Sequence, residues 1–387
     1  MSMLGASLLV GVTAFVAWQE GLPAYQRSQD VSPVSVSEVL ALPAQVYDPP
    51  PYAPATDAWG PPGPVSLVFR GRSALEGFSG EAANPWYAVS ARTGDYHRIV
   101  APHLDDSVEQ LWLGPAGTKL AWSRQGAVAL YDLMTGETRR HAVPGVEAAT
   151  PLVWSPESAR LAVGTGPVRL LTVASGTVRT LPLAGGQESS APAWTVDGEW
   201  VSVASADALT AVEVATGAVR RTPAPLGAVQ RPQWNAAGDL AGTREIADPR
   251  HTVLRVAHAA VPASTRAGAQ VAEENPEGLV IDRFLGWAGR DHAVLTGLRP
   301  ETGRIEQAMV LSLRDDTLRD YMQFPTLGDN WVGTSTVSVA TDLLRAPSRD
   351  FEQPTLPWSP GAKLLLCLLL AVFPVVYFLI ARRPRSG

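Results

Sequence analysis

The sequence predicts an all-β protein with a β-propeller fold, because two landmarks repeat along it with the same period. Trp154, Trp194 and Trp234 follow one another at intervals of 40 residues. The second landmark is a turn glycine that recurs at intervals of 42, 40 and 41 residues: Gly94, Gly136, Gly176 and Gly217. Repeats of about 40 residues that each hold several short strands are typical of propeller blades. Chance turns would drift relative to the tryptophans, so the shared period favours a ring of blades.

Six blades are predicted, and the copies outside the middle of the chain are less regular. After Trp234 the pattern decays, and 261–278 is expected to be a long loop without periodicity. An isolated strand is predicted at 334–344, and its pairing with the first blade would close the ring and remove an exposed sheet edge. Seven blades are the alternative, if 325–345 and part of the preceding spacer form a further unit. The six units lie near 64–104, 107–143, 148–183, 189–224, 228–264 and 278–324.

The blades share short sequence phrases around their turns. These are Trp154-Ser155-Pro156, Trp194-Thr195 with Asp197-Gly198, Pro115 with Gly117, and Tyr131-Asp132 with Thr135-Gly136. In these phrases the chain resembles the WD-type and TolB-like β-propeller repeats, over roughly residues 64–345. No copy ends in Trp-Asp or carries the full Trp-Ser-Pro-Asp-Gly string, so the resemblance is nearer to the bacterial TolB-like repeats. It implies an architecture and leaves the function open, because propellers serve as scaffolds, receptors and enzymes.

Two apolar segments at the chain ends predict attachment to a cell membrane. Residues 1–20 contain an uncharged run of 16, which we interpret as an N-terminal anchor or a signal-like segment. Residues 362–381 contain 18 uncharged residues in succession and predict a transmembrane helix. Three arginines in the tail 382–387 follow it, and the positive-inside rule makes that tail cytoplasmic. The propeller is therefore expected on the extracytoplasmic side.

Two linkers are predicted between these ends and the propeller at 64–345. Residues 21–63 are rich in proline, which fixes φ and removes a hydrogen-bond donor, so an extended tether is expected there. Residues 346–361 form a second, shorter linker.

Composition narrows the class of protein further. The net charge of −6 lacks the basic excess of a nucleic-acid-binding surface, so no nucleic-acid partner is predicted. The single cysteine, Cys367, excludes an intramolecular disulfide and a CxxC metal site. Lys119 and Lys363 are the only lysines among 31 basic residues, which we interpret as the coding bias of a GC-rich bacterium.

The histidines and carboxylates form no motif of a metal site. His97 and His103 flank a predicted strand with Asp105 and Asp106 close behind, but no two histidines have the spacing of a metal-ligand pair. We interpret them as surface residues. No calcium-binding loop with a closing glutamate is present in the sequence either.

Motifs for covalent or acid–base chemistry are incomplete. Ser79 lies in a phrase that departs by one residue from Gly-x-Ser-x-Gly, and the turn at Asp197 is one residue short of the sialidase-type Asp-box. Asp315 and Asp316 are adjacent, so on a strand they would point to opposite faces. The sequence therefore predicts no catalytic, cofactor-binding or metal-binding residue and no cofactor.

These observations favour a binding module over an enzyme. The expected partner is another protein or a cell-envelope component, bound by loops at one mouth of the ring, with the insertions at 247–252, 261–278 and 300–303 as contacts. The repeated tryptophans are interpreted as packing between blades. Two alternatives are an extracellular hydrolase or lyase that acts on envelope material, and the binding subunit of a membrane signalling complex. The oligomeric state is left open.

Overall fold

The propeller is a ring of six four-stranded antiparallel sheets, so the all-β class and the six blades are confirmed. A computed structural model describes residues 39–50, 53–71, 84–183, 189–223, 227, 229–245, 252–258, 270–274, 280–299, 304–324 and 336–352. A short helix, α1 (Thr56–Trp59), precedes the first sheet. The first four blades contain β1 (Val65–Arg70), β2 (Trp86–Ser90), β3 (Tyr96–Ile99), β4 (Trp112–Leu113), β5 (Lys119–Arg124), β6 (Ala127–Asp132), β7 (Thr138–Ala142), β8 (Leu152–Trp154), β9 (Arg160–Val163), β10 (Arg169–Thr172), β11 (Val178–Thr180), β12 (Ala193–Trp194), β13 (Trp200–Ala204), β14 (Ala208–Glu213) and β15 (Val219–Pro223).

The predicted turn glycines lie in the outer hairpins of these four blades. Gly94, Gly136, Gly176 and Gly217 have φ between 70° and 77°, a conformation that glycine adopts without steric cost. The amide of each donates to the carbonyl four residues earlier; the bond from Gly136 to Asp132 is 2.8 Å long. The Asp132 carboxylate also accepts from the amides of Met134 and Thr135. The 40-residue period in glycine therefore follows from one turn geometry.

The fifth blade is longer than the sequence predicted. Residues Gln270–Glu274 lie within the predicted loop 261–278, yet they form a strand that pairs with Leu254–His258. The prediction of a loop is wrong for these five residues, because backbone pairing supplies the fourth strand without a repeat-like turn glycine. The last two blades contain β16 (Gln230–Trp234), β17 (Leu240–Glu245), β18 (Thr252–His258), β19 (Gln270–Glu274), β20 (Val280–Trp287), β21 (His292–Arg299), β22 (Arg304–Ser312) and β23 (Leu318–Gln323).

The ring closes through the C-terminal strand, as predicted. Strand β24 (Ser338–Val339) pairs with Leu67 and Val68 of β1 and becomes the innermost strand of the first blade. The strand is shorter than the predicted 334–344, because the chain turns into a 3-10 helix at Thr341–Arg345. The Asp342 amide donates to the Pro115 carbonyl at 3.1 Å, which fixes this turn across one end of the ring.

Part of the segment predicted as a tether packs against the propeller. Leu42 and Val46 are fully buried, and the Val46 amide donates to the Gln323 carbonyl at 2.8 Å. The Ala44 amide donates to the Arg349 carbonyl, and the Arg349 amide donates to the Leu42 carbonyl, both at 2.8 Å. Apolar residues between the prolines thus bury surface against the blades. The described residues 39–50 are therefore packed, which differs from the free tether expected for 21–63.

Membrane attachment is not settled by the described residues. None of their helices is long and apolar enough to cross a membrane. The segments predicted to do so, 1–20 and 362–381, lie outside the described residues together with the tail 382–387. The flanking membrane segments therefore stay a prediction.

Candidate functional site

The repeated tryptophans join neighbouring blades, which confirms their interpretation as packing residues. The indole N–H of Trp154 donates to the Trp112 carbonyl at 2.9 Å, and that of Trp194 to the Val153 carbonyl at 3.0 Å. Trp287 donates in the same way to Gln233. Each acceptor lies on the innermost strand of the preceding blade, where a sheet edge leaves carbonyls without a strand partner. These three tryptophans satisfy that edge, whereas the Trp234 indole N–H donates to the Ser202 hydroxyl of the preceding blade at 2.9 Å.

The innermost strands also define which residues face the central channel. Side chains alternate along a strand, so the residue directly before a repeat tryptophan, such as Val153 or Gln233, points to the side opposite that tryptophan. Pro151, Ala191 and Arg231 lie three positions before a repeat tryptophan; the first two precede their strands, and Arg231 lies at an irregular point of β16. All five line the channel. The position of a residue relative to the repeat tryptophan therefore indicates the residues that line the channel as well as those that pack inside the blades.

The channel is narrow where the innermost strands end. A cavity of about 170 Å³ there is bordered by the repeat tryptophans, with Pro115 and Pro156. Thr341, Asp342 and Arg345 of the 3-10 helix lie across it. Ligand sites typically enclose ~300–1,000 Å³, so this mouth is small for one.

A larger cavity lies at the opposite mouth, where the innermost strands begin. We call this cavity of about 600 Å³ the basin. Its volume is in the range of ligand sites. Its described lining contains two arginines and no carboxylate. The lining residues are Trp112, Ala149, Pro151, Ser189, Ala191, Val229, Gln230, Arg231 and Arg244.

Arg231 lies at the junction of the basin and the narrow mouth, because it lines both. Its guanidinium stacks over the Trp112 ring, 4.9 Å from the centroid. Nη2 donates to Gln110 Oε1 at 2.6 Å, and Nη1 donates to the Val337 carbonyl at 3.2 Å. Arg231 thus spans the channel from the fifth blade toward the first and second.

A second guanidinium lies beside it. Arg283 Nη1 donates to the same Val337 carbonyl at 3.0 Å. Burial lowers the pKa of Arg231, and the neighbouring Arg283 lowers it further, while Asp282 opposes the effect. Burial likewise lowers the pKa of Arg283 to about 10. Arginine keeps its proton in proteins, so both groups place positive charge here, and the Asp282 carboxylate raises the pKa of each.

The histidines and carboxylates weighed from the sequence do not meet in the channel. His97 is buried in β3, so its interpretation as a surface residue is wrong, and burial lowers its pKa to about 4. His103 is exposed, and its carbonyl accepts from Trp122 and Arg124. Asp105 pairs with Arg124 at 2.8 Å. Asp106 lies 3.8 Å from Arg70. Within the described part of the chain, no cluster of three His, Cys, Asp or Glu side chains could hold a metal ion.

The other residues weighed for chemistry belong to turns or lie outside the described residues. Asp197 accepts from the Thr195 hydroxyl and the Glu199 amide. Asp316 has φ of 55° and takes the place of the turn glycine in the sixth blade. Ser79 lies outside the described residues. So do these parts of the predicted insertions: 247–251, 261–269, 275–278 and 300–303.

Sequence reasoning missed the channel arginines, although a signal for them exists. Arg231 is the third residue before a repeat tryptophan, where other blades carry Pro151 and Ala191. A charged residue at a position that faces the channel is therefore visible once the units are aligned on tryptophan. Arg283 is harder to find, because the pairing of β20 with β21 shifts register on both sides of it, between Ile281 and Arg283 and between Phe284 and Gly286. Arg283 therefore lies four residues before Trp287 instead of three.

Comparisons with known proteins return propellers. The sequence matches no family model, and no curated protein is similar to it. TolB from Acinetobacter baumannii is 12% identical with a TM-score of 0.48; the match covers 71% of this chain and 66% of that one, just under two thirds. The Cps50 (Swd1) propeller domain of Myceliophteria thermophila is 14% identical, with a TM-score of 0.46 and coverage of 66% and 86%. A prolyl endopeptidase is 13% identical, with a TM-score of 0.43, and is covered over 45% of its length, against 71% of this chain.

Proposed function

We propose that the protein is a binding module that takes a protein or another cell-envelope component into the basin. This proposal is carried by the volume of the basin together with the residues that line it. The basin encloses about 600 Å³ and presents the channel arginine Arg231 beside the aromatic ring of Trp112. Apolar walls with a few convergent polar groups are typical of ligand sites.

The opposite mouth is less suited to binding. It encloses about 170 Å³, and the 3-10 helix Thr341–Arg345 lies across it. Gly286 illustrates how closely this helix packs, since a Cβ atom there would lie 2.7 Å from Leu344 Cδ1.

The strands beside the predicted insertion at 247–252, β17 and β18, meet through the pair Glu245 and Thr252. In an antiparallel blade this pair lies at the end where the innermost strand begins, which is the basin end.

Binding at the basin is tested by photo-crosslinking in intact cells. A photoreactive amino acid replaces Ala149, which is exposed on the basin wall, and a control carries it at Val219 on the outer strand β15, which is 50% exposed. We expect a discrete adduct from position 149 and none from position 219. Equal adducts from both positions, or none from position 149, would contradict the proposal.

The proposal includes attachment to the outer face of a cell membrane. Its support is the sequence of 1–20 and 362–381 and the arginines of 382–387.

Orientation is tested with a single reactive thiol. Cys367→Ser removes the native thiol, and Val219→Cys introduces one on the exposed outer strand β15. A membrane-impermeant maleimide should label this variant in intact cells. Labelling that appears only after lysis would reverse the proposed orientation.

A further inference from the structure

We propose that Arg231 binds a carboxylate group of the ligand inside the channel. This inference rests on the proposed function, because it names the chemistry of the group that enters the basin. Three observations carry it: the open donors of the guanidinium, the backbone that aims the side chain, and the charge around it.

The guanidinium of Arg231 has more hydrogen-bond donors than the described residues accept from. Arginine has five N–H donors, and the described residues accept from it through Gln110 Oε1 and the Val337 carbonyl. Trp112 covers one face of the group, which leaves the edge directed at the channel. No carboxylate of the described residues lies within ion-pair distance of Arg231. A planar fork with open donors beside an aromatic ring matches the geometry of a carboxylate.

The backbone at Arg231 is also unusual. Its φ is 49°, in the left-handed region that a residue with a side chain rarely adopts. The pairing of β16 with β17 is irregular between Gln230 and Gln233, where Arg231 lies. An irregularity of this kind re-aims a side chain. Here it directs Arg231 across the channel toward Gln110 and Val337.

The local charge favours an anionic ligand. Arg231 and Arg283 both place a nitrogen within 3.2 Å of the Val337 carbonyl, so two guanidinium groups meet at one carbonyl. A monocarboxylate would bring one negative charge to Arg231, whereas a phosphate dianion would bring two into a poorly solvated channel. Arg244 on the basin wall would attract the approaching anion.

A purely structural role for Arg231, as a link between blades, predicts a different experimental result. A link would change stability on substitution and would bind no anion. We therefore measure both quantities on the full-length protein in detergent micelles. The probe is sodium benzoate, whose ring suits the apolar walls at Pro151, Ala191 and Val229. Sodium phosphate is titrated in parallel.

The charge is removed by Arg231→Asn, because asparagine tolerates left-handed φ better than most other residues that carry a side chain. Arg231→Lys keeps the charge without the fork. The control Arg140→Gln removes one positive charge from the exposed outer strand β7. Thermal unfolding without ligand shows whether each variant is folded.

Calorimetric titration should show saturable binding of benzoate by the wild type and by Arg140→Gln. Arg231→Asn should weaken it by about tenfold or more, since a charge-assisted hydrogen bond is lost, and Arg231→Lys should weaken it less. Wild-type protein that does not bind benzoate, or variants at 231 that bind it with unchanged affinity, would overturn the proposal. Tighter binding of phosphate than of benzoate would overturn the assignment to a carboxylate. An adduct from position 149 in cells, together with failure to bind benzoate, would leave the proposed function in place and remove this inference alone.

Discussion

The tryptophan links between blades predict a specific loss of stability in Trp194→Phe. Trp194 is 6% exposed, and its indole N–H donates to the Val153 carbonyl at 3.0 Å. Phenylalanine retains an aromatic ring but leaves this carbonyl without its donor at a buried sheet edge. A lost hydrogen bond contributes about 1 kcal/mol, and the unpaired carbonyl and the smaller ring add a similar amount. The free energy of unfolding should therefore fall by about 2 kcal/mol.

The measurement is urea denaturation of the wild type and the variant, followed by circular dichroism. Trp112→Phe is the matched control, because Trp112 is half-buried and its indole N–H donates to no described residue. The control should lose less than about 1 kcal/mol. If the two substitutions had equal effects, ring volume rather than the hydrogen bond between blades would account for the stability.

Two further predictions concern buried positions elsewhere in the ring. The pKa of His97 is lowered to about 4 in the folded protein, below the 6.5 of an unfolded histidine, so its contribution to stability is present above pH 6.5 and is lost as the pH falls toward 4. Relative to His97→Gln, the free energy of unfolding of the wild type should fall by about 3 kcal/mol between pH 7 and pH 4 in denaturant titrations. A difference between the two proteins that does not depend on pH would contradict this prediction. Gly117 and Gly126 share φ of 71°, but a Cβ atom at 117 would lie 2.0 Å from the Val65 carbonyl oxygen and one at 126 would meet nothing within 4 Å. Gly126→Ala should thus lower the free energy of unfolding by about 1–2 kcal/mol, and Gly117→Ala should lower it clearly more. Similar unfolding midpoints for the two variants would refute the clash at Gly117.

The blades were predictable because their landmarks are fixed by local chemistry. A turn that needs a positive φ recurs as glycine, and an edge carbonyl that needs a donor recurs as tryptophan. The closing strand Ser338–Val339 was predictable for a related reason, since an unpaired edge of the first blade requires a partner. Each of these requirements leaves one residue type in one place.

Features that depend on partners distant in sequence were missed. Strand β19 is polar and has no turn glycine, so only its pairing with β18 reveals it. Leu42 and Val46 lie among prolines, and they are buried in a core cluster to which the first, second and last blades contribute. Alignment of the units on tryptophan marks the position of Arg231, but its contacts with Gln110 and Val337 come from the other side of the channel and appear only in the ring. Such contacts leave no periodic signal in one sequence.

We propose that the basin binds its ligand through Arg231. It is tested most directly by placing the photoreactive residue at position 149 in two backgrounds, wild type and Arg231→Asn, and comparing the adducts in intact cells at equal protein levels. We expect a discrete adduct in the wild-type background and its loss in Arg231→Asn. An adduct of unchanged identity and intensity in Arg231→Asn would contradict it.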